Sequence, residues 1–483
     1  MRLVVKISSR SKLFIENFLI YGLGGTISKI IPFIMLPIVV RLIPDPVYFG
    51  ISNMVSIVVS FGSSLAILGT YDAMFRLFFE KEDDVYRKKL CSSSLFVVLL
   101  SSTLISLIII MFAKFFARLF FNSSSYTKLV YITSASVFIG SVNVIITAPT
   151  RMMNKRRIFL LSNTIFPIVS YTITILLLVS GFYLYALPIS GLLTSITSFL
   201  FFFSLNYSWF RMNLLEKSLI KELLKIGLPL TPTFLIYWIF SSSDRVMLSK
   251  MLGDAQMGIY SVGAKLATVS QLVYSGFAGG WQYFAFSTMK DDDYVKLITK
   301  TFELLGALSL ISFLLSLPFS KIVFKILFPP IYQDAFLVFP YLFLGPLLLM
   351  LYQIASNQLL VIKNSFGITL TLLFGAILNI FFNFLLIPIL GNEGAAIATV
   401  IGYAFSLAVV ILKVYRLKLL TPSYRFYLSF ILTIIGYLLW RIWFVTDFLI
   451  SLSISALTIL LIFRLYRKDI LPYFKRFGKL IGT

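Results

Sequence analysis

The stretch RLIPDPVYFGIS at residues 41–52 recurs in looser form as RVML at residues 245–248 followed by QMGIYS at residues 256–261. Each copy places an arginine late in a long apolar segment, followed by a turn and a glycine-isoleucine pair that opens the next segment. A second pair of similar stretches, at residues 181–193 and 391–400, has nearly the same offset of roughly 205 to 210 residues, which is the pattern of an internal duplication. The sequence therefore predicts two repeated halves.

The segments around these repeats are apolar enough to cross a membrane. Of the 483 residues 59% are hydrophobic and only 13% are charged, whereas soluble chains carry about 25% charged residues. A membrane-spanning helix needs about 20 apolar residues. Fourteen segments meet this requirement, at residues 14–43, 47–70, 90–113, 129–149, 158–180, 182–206, 226–252, 255–285, 302–320, 335–362, 366–389, 392–412, 426–446 and 448–466.

The span count and the repeat together predict an all-α polytopic membrane protein. Six spans separate the two copies, so both copies begin on the same side and are related by an axis along the membrane normal. We expect an N-lobe at residues 1–207, a C-lobe at 226–412, and two further helices with a cytoplasmic tail at 413–483. Residues 208–225 mix Lys and Glu with Leu and Ile and are predicted to form an amphipathic linker helix on the cytoplasmic membrane surface.

Charge fixes the expected orientation. The chain carries 42 Lys and Arg residues against 19 Asp and Glu residues, a net charge of +23. Roughly three-quarters of the basic residues lie in the N-terminal segment, the even-numbered loops and the C-terminal tail, which predicts that both termini are cytoplasmic. Binding of lipid head groups is the weaker alternative explanation of the basic loops. The first span lacks a small-residue cleavage pattern, so no cleavable signal peptide is predicted.

Several classes of enzyme are excluded by composition. The chain has no His and a single Cys, Cys91, so His-based catalysis, His-ligated metal sites and internal disulfides are not available. Cys91 lies in an apolar run and is expected to be a buried small hydrophobe. The longest outward connections have about 15 residues, too few for a folded catalytic domain. Function must therefore lie between the helices.

Charged residues inside spans are candidate functional residues because each is costly in the hydrocarbon core. Lys29 and Lys265 lie mid-span without an acid within a helical turn, which favours a hydrated cavity or an anionic ligand. Arg41 ends the first span. Asp244 and Arg245 lie in the seventh, where an ordinary structural ion pair is the alternative.

Other polar side chains suit sugar or ion binding. Asn53, Gln271 and Tyr274 can bond hydroxyl groups or stack on sugar faces, and they are the remaining candidate substrate-binding residues. Asp244 and Glu16 are the candidates for coupling to protons or sodium ions. Two further acids near span ends, Glu303 and Glu393, are expected to be solvated boundary residues.

The ordered motifs resemble a known family. They comprise Leu36-Pro37, Arg41-Leu42 and Tyr48-Phe49-Gly50 in the first half, then Gly227-Leu228-Pro229-Leu230-Thr231-Pro232, Trp238, Asp244-Arg245, Gly258-Ile259-Tyr260-Ser261 and Lys265 in the second. This arrangement is similar to the polysaccharide transporters of the multidrug/oligosaccharidyl-lipid/polysaccharide exporter superfamily, which are flippases for the repeat units of O-antigen, lipopolysaccharide or capsule.

The resemblance implies a V-shaped pair of six-helix lobes that alternately open inward and outward in the bacterial inner membrane. The implied substrate is an undecaprenyl-pyrophosphate-linked oligosaccharide, and the implied partners are membrane lipids, a glycan polymerase and a chain-length regulator, with no nucleic acid and no cofactor. Lys29 and Lys265 match positions where related flippases tend to have Arg, so charge is kept while the bidentate fork is lost. The last two helices resemble a pair that forms a groove for the prenyl tail.

Three other functions remain open from the sequence. A cation-coupled drug antiporter of the same superfamily is disfavoured by the scarcity of acids deep in the spans. An integral-membrane glycan polymerase is disfavoured because it would need a large outward loop with catalytic Arg or His. A non-transporting scaffold is disfavoured because it would not need a lysine pair in a repeated bundle.

Overall fold

The computed structural model describes residues 30–272, 293–362 and 364–481, and within these ranges all regular elements are helical. The helices of the first half are α1 (Ile30–Leu42), α2 (Pro46–Ile67), α3 (Thr70–Phe78), α4 (Asp84–Met111), α5 (Ala113–Phe121), α6 (Thr127–Met152), α7 (Arg156–Val179) and α8 (Ala186–Asn206). They are followed by α9 (Lys217–Gly227), α10 (Thr231–Leu252), α11 (Asp254–Ala267), α12 (Tyr294–Leu327), α13 (Phe339–Val361), α14 (Ser365–Leu390), α15 (Asn392–Arg416), α16 (Tyr424–Leu439) and α17 (Phe448–Ile481).

Twelve helical segments in the described residues are long and apolar enough to cross a membrane. The two other predicted spans, 14–43 and 255–285, lie partly outside the described residues, and α1 and α11 are their described portions. The predicted all-helical, multi-pass membrane fold is confirmed.

Helix starts follow local capping signals in the sequence. The Asp45 carboxylate accepts a hydrogen bond from the backbone N–H of Val47 at 2.8 Å, and Pro46 occupies the first turn of α2. Asp83 likewise accepts from the backbone N–H groups of Val85 and Tyr86 at the start of α4. A side-chain acceptor at this position satisfies amide groups that have no partner within the helix, and proline is tolerated there because its missing N–H would be unbonded anyway.

Helix α9 occupies most of the predicted linker, and its apolar side packs against other helices of the protein. Leu219 and Leu223 are buried in the core that α3 and α4 form with α6 and α8. An apolar stripe on a short helix fits a protein core as well as it fits a lipid interface, and the position of this linker at the cytoplasmic membrane surface stays a prediction. Cys91 belongs to the same core and is fully buried, as expected.

The chain forms two compact units, of which the first ends at Ser261 and the second begins at Val262. Helix α10, which the sequence analysis assigned to the C-lobe, packs against α2 in the first unit. The predicted lobe limits at residues 207 and 226 stay a prediction.

Helix α6 allows the predicted orientation to be tested. Its 26 residues span about 39 Å at about 1.5 Å per residue, with Ser123 before it and Lys155 after it. In a Cys91→Ser background, we expect a membrane-impermeant thiol reagent to label Ser123→Cys only from outside and Lys155→Cys only from the cytoplasm. Labelling of both positions from one side would contradict the span assignment.

Candidate functional site

Some predicted site residues lie outside the described residues, namely Lys29, Glu16 and Tyr274. Among the others, Arg41 is exposed in the last turn of α1, and Asn53 is buried in α2, where its amide donates to the backbone oxygen of Phe49 at 2.7 Å. Lys265 in α11 and Gln271 after it are half-buried.

Asp244 and Arg245 are brought together with Tyr260. The buried Asp244 carboxylate accepts hydrogen bonds from the Tyr260 hydroxyl and, at 2.8 Å, from the backbone N–H of Arg245. The Arg245 guanidinium lies 3.9 Å from the same carboxylate and donates to the backbone oxygen of Ser241 at 2.5 Å. Asp244 is therefore already engaged by two donors and a nearby cation.

The two glycines of the internal repeat contact each other. A Cβ built on Gly50 would lie 3.2 Å from the backbone nitrogen of Gly258, and one built on Gly258 would lie 3.1 Å from that of Gly50. Helices α2 and α11 thus approach backbone to backbone at equivalent positions of the duplication. Both positions require glycine, because a Cβ at Gly50 would overlap the backbone oxygen of Asp254 and a Cβ at Gly258 would overlap that of Pro46.

A cavity of about 590 Å³ lies in the first unit between α6, α7 and α8. Half of its described lining residues carry small hydroxyl side chains, and none of them carries a carboxylate. Its polar lining residues are Thr147, Thr150, Ser162, Asn163, Ser170, Tyr171, Thr174, Ser190, Thr194 and Ser198, and its aromatic ones include Phe159, Phe166 and Phe202.

Arg151 is the one cation in the described lining of this cavity. Its guanidinium lies 5.8 Å from the centre of the Phe159 ring and donates to the hydroxyl of Tyr71 at 3.0 Å. Burial raises the pKa of the Tyr71 phenol, and the nearby Arg151 charge opposes that rise. The phenol therefore stays neutral near pH 7 and accepts the bond. Arg151 is the last-turn basic residue of α6, so positive charge is confined to one end of the cavity.

The second unit contains a buried acid that the sequence analysis placed at a solvated boundary. Glu393 at the start of α15 accepts hydrogen bonds from the Arg441 guanidinium at 2.5 and 2.6 Å and from the Tyr341 hydroxyl at 2.5 Å. Glu303 is also largely buried and accepts from the backbone N–H of Ser423 at 2.5 Å. The expectation of solvated residues was wrong for both, because burial depends on partners far along the chain.

None of the cavity residues was predicted to be a site residue from the sequence, because most of the polar ones are serines and threonines, which carry no charge and no aromatic ring. A signal does exist in the sequence. Ser190, Thr194 and Ser198 recur every four residues in α8, and Ser170 and Thr174 do so in α7. Such spacing places the hydroxyl groups on one face of a helix.

Comparison with solved structures shows which known fold the chain shares. The chain is similar to "Lipid II flippase MurJ, inward closed conformation" with a TM-score of 0.69 and 17% identity, over 94% of this chain and 100% of that chain. An inward-facing multidrug resistance MATE family transporter of the MOP superfamily gives a TM-score of 0.61 and 15% identity, over 80% and 94%. A MOP superfamily transporter from Pyrococcus furiosus gives a TM-score of 0.53 and 14% identity, over 84% of this chain and 95% of that chain. The fold is that of this superfamily.

A family model described as "Polysaccharide biosynthesis protein" matches residues 14–289, which is more than half of the chain. The chain belongs to this family. A search of curated protein sequences finds no match. The resemblance drawn from the ordered motifs is confirmed at the level of family and fold.

Proposed function

We propose that this protein is a flippase that moves undecaprenyl-pyrophosphate-linked oligosaccharide repeat units across the bacterial inner membrane by alternating access. The observation that carries the proposal is the match of residues 14–289 to a polysaccharide biosynthesis family in a chain with many membrane-spanning helices. The fold shared with the lipid II flippase supports it. In this proposal both termini are cytoplasmic, and a glycan polymerase and a chain-length regulator act on the exported units.

The substrate has three parts with different chemical needs. The pyrophosphate requires positive charge, which we assign to Lys29 and Lys265 with Arg41 and Arg245. In a site of low dielectric constant such attraction is stronger than in water. Lysine supplies a compact charge without a bidentate fork, so we expect attraction of the pyrophosphate more than geometric recognition of it.

The prenyl tail requires an apolar surface. The second unit has an apolar cleft of about 240 Å³ between α12, α13, α15 and α16, lined by residues such as Phe313, Leu344, Ile401 and Phe430. Helix α16 is the first helix of the C-terminal pair. We assign the tail to this side of the protein, because an isoprenoid chain gains free energy only where it stays out of water.

A cation-coupled drug antiporter is the second candidate, because MATE transporters share the fold. It would need a carboxylate able to exchange its ion during transport. The three buried carboxylates in the described part of the chain, Asp244, Glu303 and Glu393, all accept hydrogen bonds from the protein, and two of them also face arginine. This engagement favours the flippase, and we assign any proton or sodium coupling to Asp244 or Glu16.

Deletion of the gene in its own host tests the proposed function. We expect lipid-linked oligosaccharide to accumulate on the cytoplasmic leaflet and surface polysaccharide to be lost, because the repeat unit cannot cross the hydrocarbon core unaided. The measurement is extraction of the lipid-linked pool with mass analysis, and the control is the same strain complemented with the wild-type gene. An unchanged pool together with altered drug sensitivity would support the antiporter instead.

A further inference from the structure

The hydroxyl-lined cavity between α6, α7 and α8 has the size and polarity of a ligand site. Its volume of about 590 Å³ falls within the range of about 300–1,000 Å³ typical of small-molecule pockets. Its walls come from helices that cross the membrane, where polar groups without a purpose are costly. The cavity is not part of the charged site assigned above.

Five of the nine hydroxyl groups of the cavity donate to backbone oxygens of the protein and offer a ligand only acceptors. Those of Thr150 and Ser198 instead accept from the amides of Asn206 and Asn143 and keep a donor. Thr194 donates to the backbone oxygen of Ser190 at 2.7 Å, Thr174 to that of Ser170 at 2.8 Å, and Thr147 to that of Val144 at 3.1 Å. The amide of Asn163 donates to the backbone oxygen of Phe159 at 3.0 Å. Since a hydroxyl has one donor and two lone pairs, its oxygen can still accept from a ligand.

A lining of hydroxyl groups, most of which have their proton engaged by the protein, suits a ligand rich in O–H groups. Cations are disfavoured because the described lining holds no carboxylate, and anions find a partner only at Arg151. Neutral sugars fit both conditions: their hydroxyl groups donate to the oxygens, and their C–H faces stack on rings such as Phe166 and Tyr171. We infer that this cavity binds neutral sugar residues of the transported glycan, an inference that rests on the proposed flippase function and names the subsite for its sugar part.

Removing the acceptors without changing side-chain shape tests this subsite. In the double variant Asn163→Leu, Thr194→Val, we expect glycan export to fall about tenfold or more, because two hydrogen bonds to the sugar are lost. The matched control is Thr172→Val, Thr197→Val. These threonines make the same backbone hydrogen bonds on the same helices, at 2.9 Å each, but are exposed and outside the cavity. Export by the control should stay within about twofold of wild type.

A direct binding measurement is independent of export. In purified Cys91→Ser protein, Ser170→Cys places a thiol in the cavity, and Ser124→Cys places one on an exposed turn. The probe is the free oligosaccharide released by mild acid from the host's lipid-linked pool. We expect it to slow modification of Cys at 170 by a water-soluble methanethiosulfonate, leave Cys at 124 unaffected, and lose its effect in the Asn163→Leu, Thr194→Val background.

The outcomes separate the two proposals. If the cavity double variant exports normally and the oligosaccharide does not protect Cys at 170, the sugar subsite is overturned. The proposed flippase function is then unaffected. Protection by inorganic pyrophosphate instead of oligosaccharide would also overturn it, since the cavity would then be an anion site. The oligosaccharide could protect Cys at 170 while deletion of the gene leaves the lipid-linked pool unchanged. That result would confirm the sugar site and overturn the flippase function.

Discussion

Gly258→Ala is expected to reduce export by at least about tenfold and to lower the yield of folded protein. The added Cβ would lie 2.2 Å from the backbone oxygen of Pro46 and 3.1 Å from the backbone nitrogen of Gly50. Both atoms belong to the main chain, so no side-chain rotation relieves the overlap and α2 and α11 have to separate. Gly50→Ala should act in the same way, because its Cβ would lie 2.0 Å from the backbone oxygen of Asp254.

The matched control is Gly191→Ala in α8. A Cβ at Gly191 meets no atom within 4 Å, and alanine favours a helix over glycine by about 1 kcal/mol. Fluorescence-detected size-exclusion chromatography reports folded protein, and surface polysaccharide reports export. If Gly258→Ala matched Gly191→Ala in both measurements, the backbone contact between the repeats would have no role.

Arg441→Met is expected to destabilise the second unit strongly. It leaves the Glu393 carboxylate, whose side chain is only 7% exposed, without its charged partner. Removing one member of a buried ion pair typically costs about 3–5 kcal/mol, and we expect the lower part of that range because Arg441 is 34% exposed. The measurement is the thermal unfolding midpoint of the purified protein in detergent.

A double-mutant cycle separates the ion pair from other effects of the substitution. Glu393→Gln, Arg441→Met removes both charges and should recover much of the lost stability, since a neutral amide is less costly to bury than an unpaired carboxylate. The control is Lys300→Met, which removes a half-exposed partner of Asp469 while Arg425 keeps its own bond of 2.9 Å. An Arg441→Met midpoint equal to that of Lys300→Met would show that the buried pair does not stabilise the unit.

The cluster around Asp244 and the ion pair between Glu393 and Arg441 show how far the sequence could predict the candidate site. Asp244 and Arg245 were found because they are adjacent in a span, and Tyr260 completes that cluster from the next helix. Glu393 and Arg441 are 48 residues apart, and nothing in the local sequence of either indicates the other. The ten uncharged polar residues of the cavity come from three helices, and each one alone is an ordinary serine, threonine, asparagine or tyrosine.

The sequence by itself determined the features that depend on neighbouring residues. The apolar runs specify the spans because each span must satisfy its own backbone hydrogen bonds within the membrane. The repeated glycine-isoleucine motif marked the two positions that meet. Tertiary structure alone decided that Gly50 lies against Gly258, that the apolar side of α9 enters the core, that Glu393 is buried against Arg441, and that hydroxyl groups from α6, α7 and α8 face one cavity. Those outcomes depend on which helix faces pack together, and in a chain that is apolar on nearly every face, hydropathy does not distinguish the face that meets lipid from the face that meets protein.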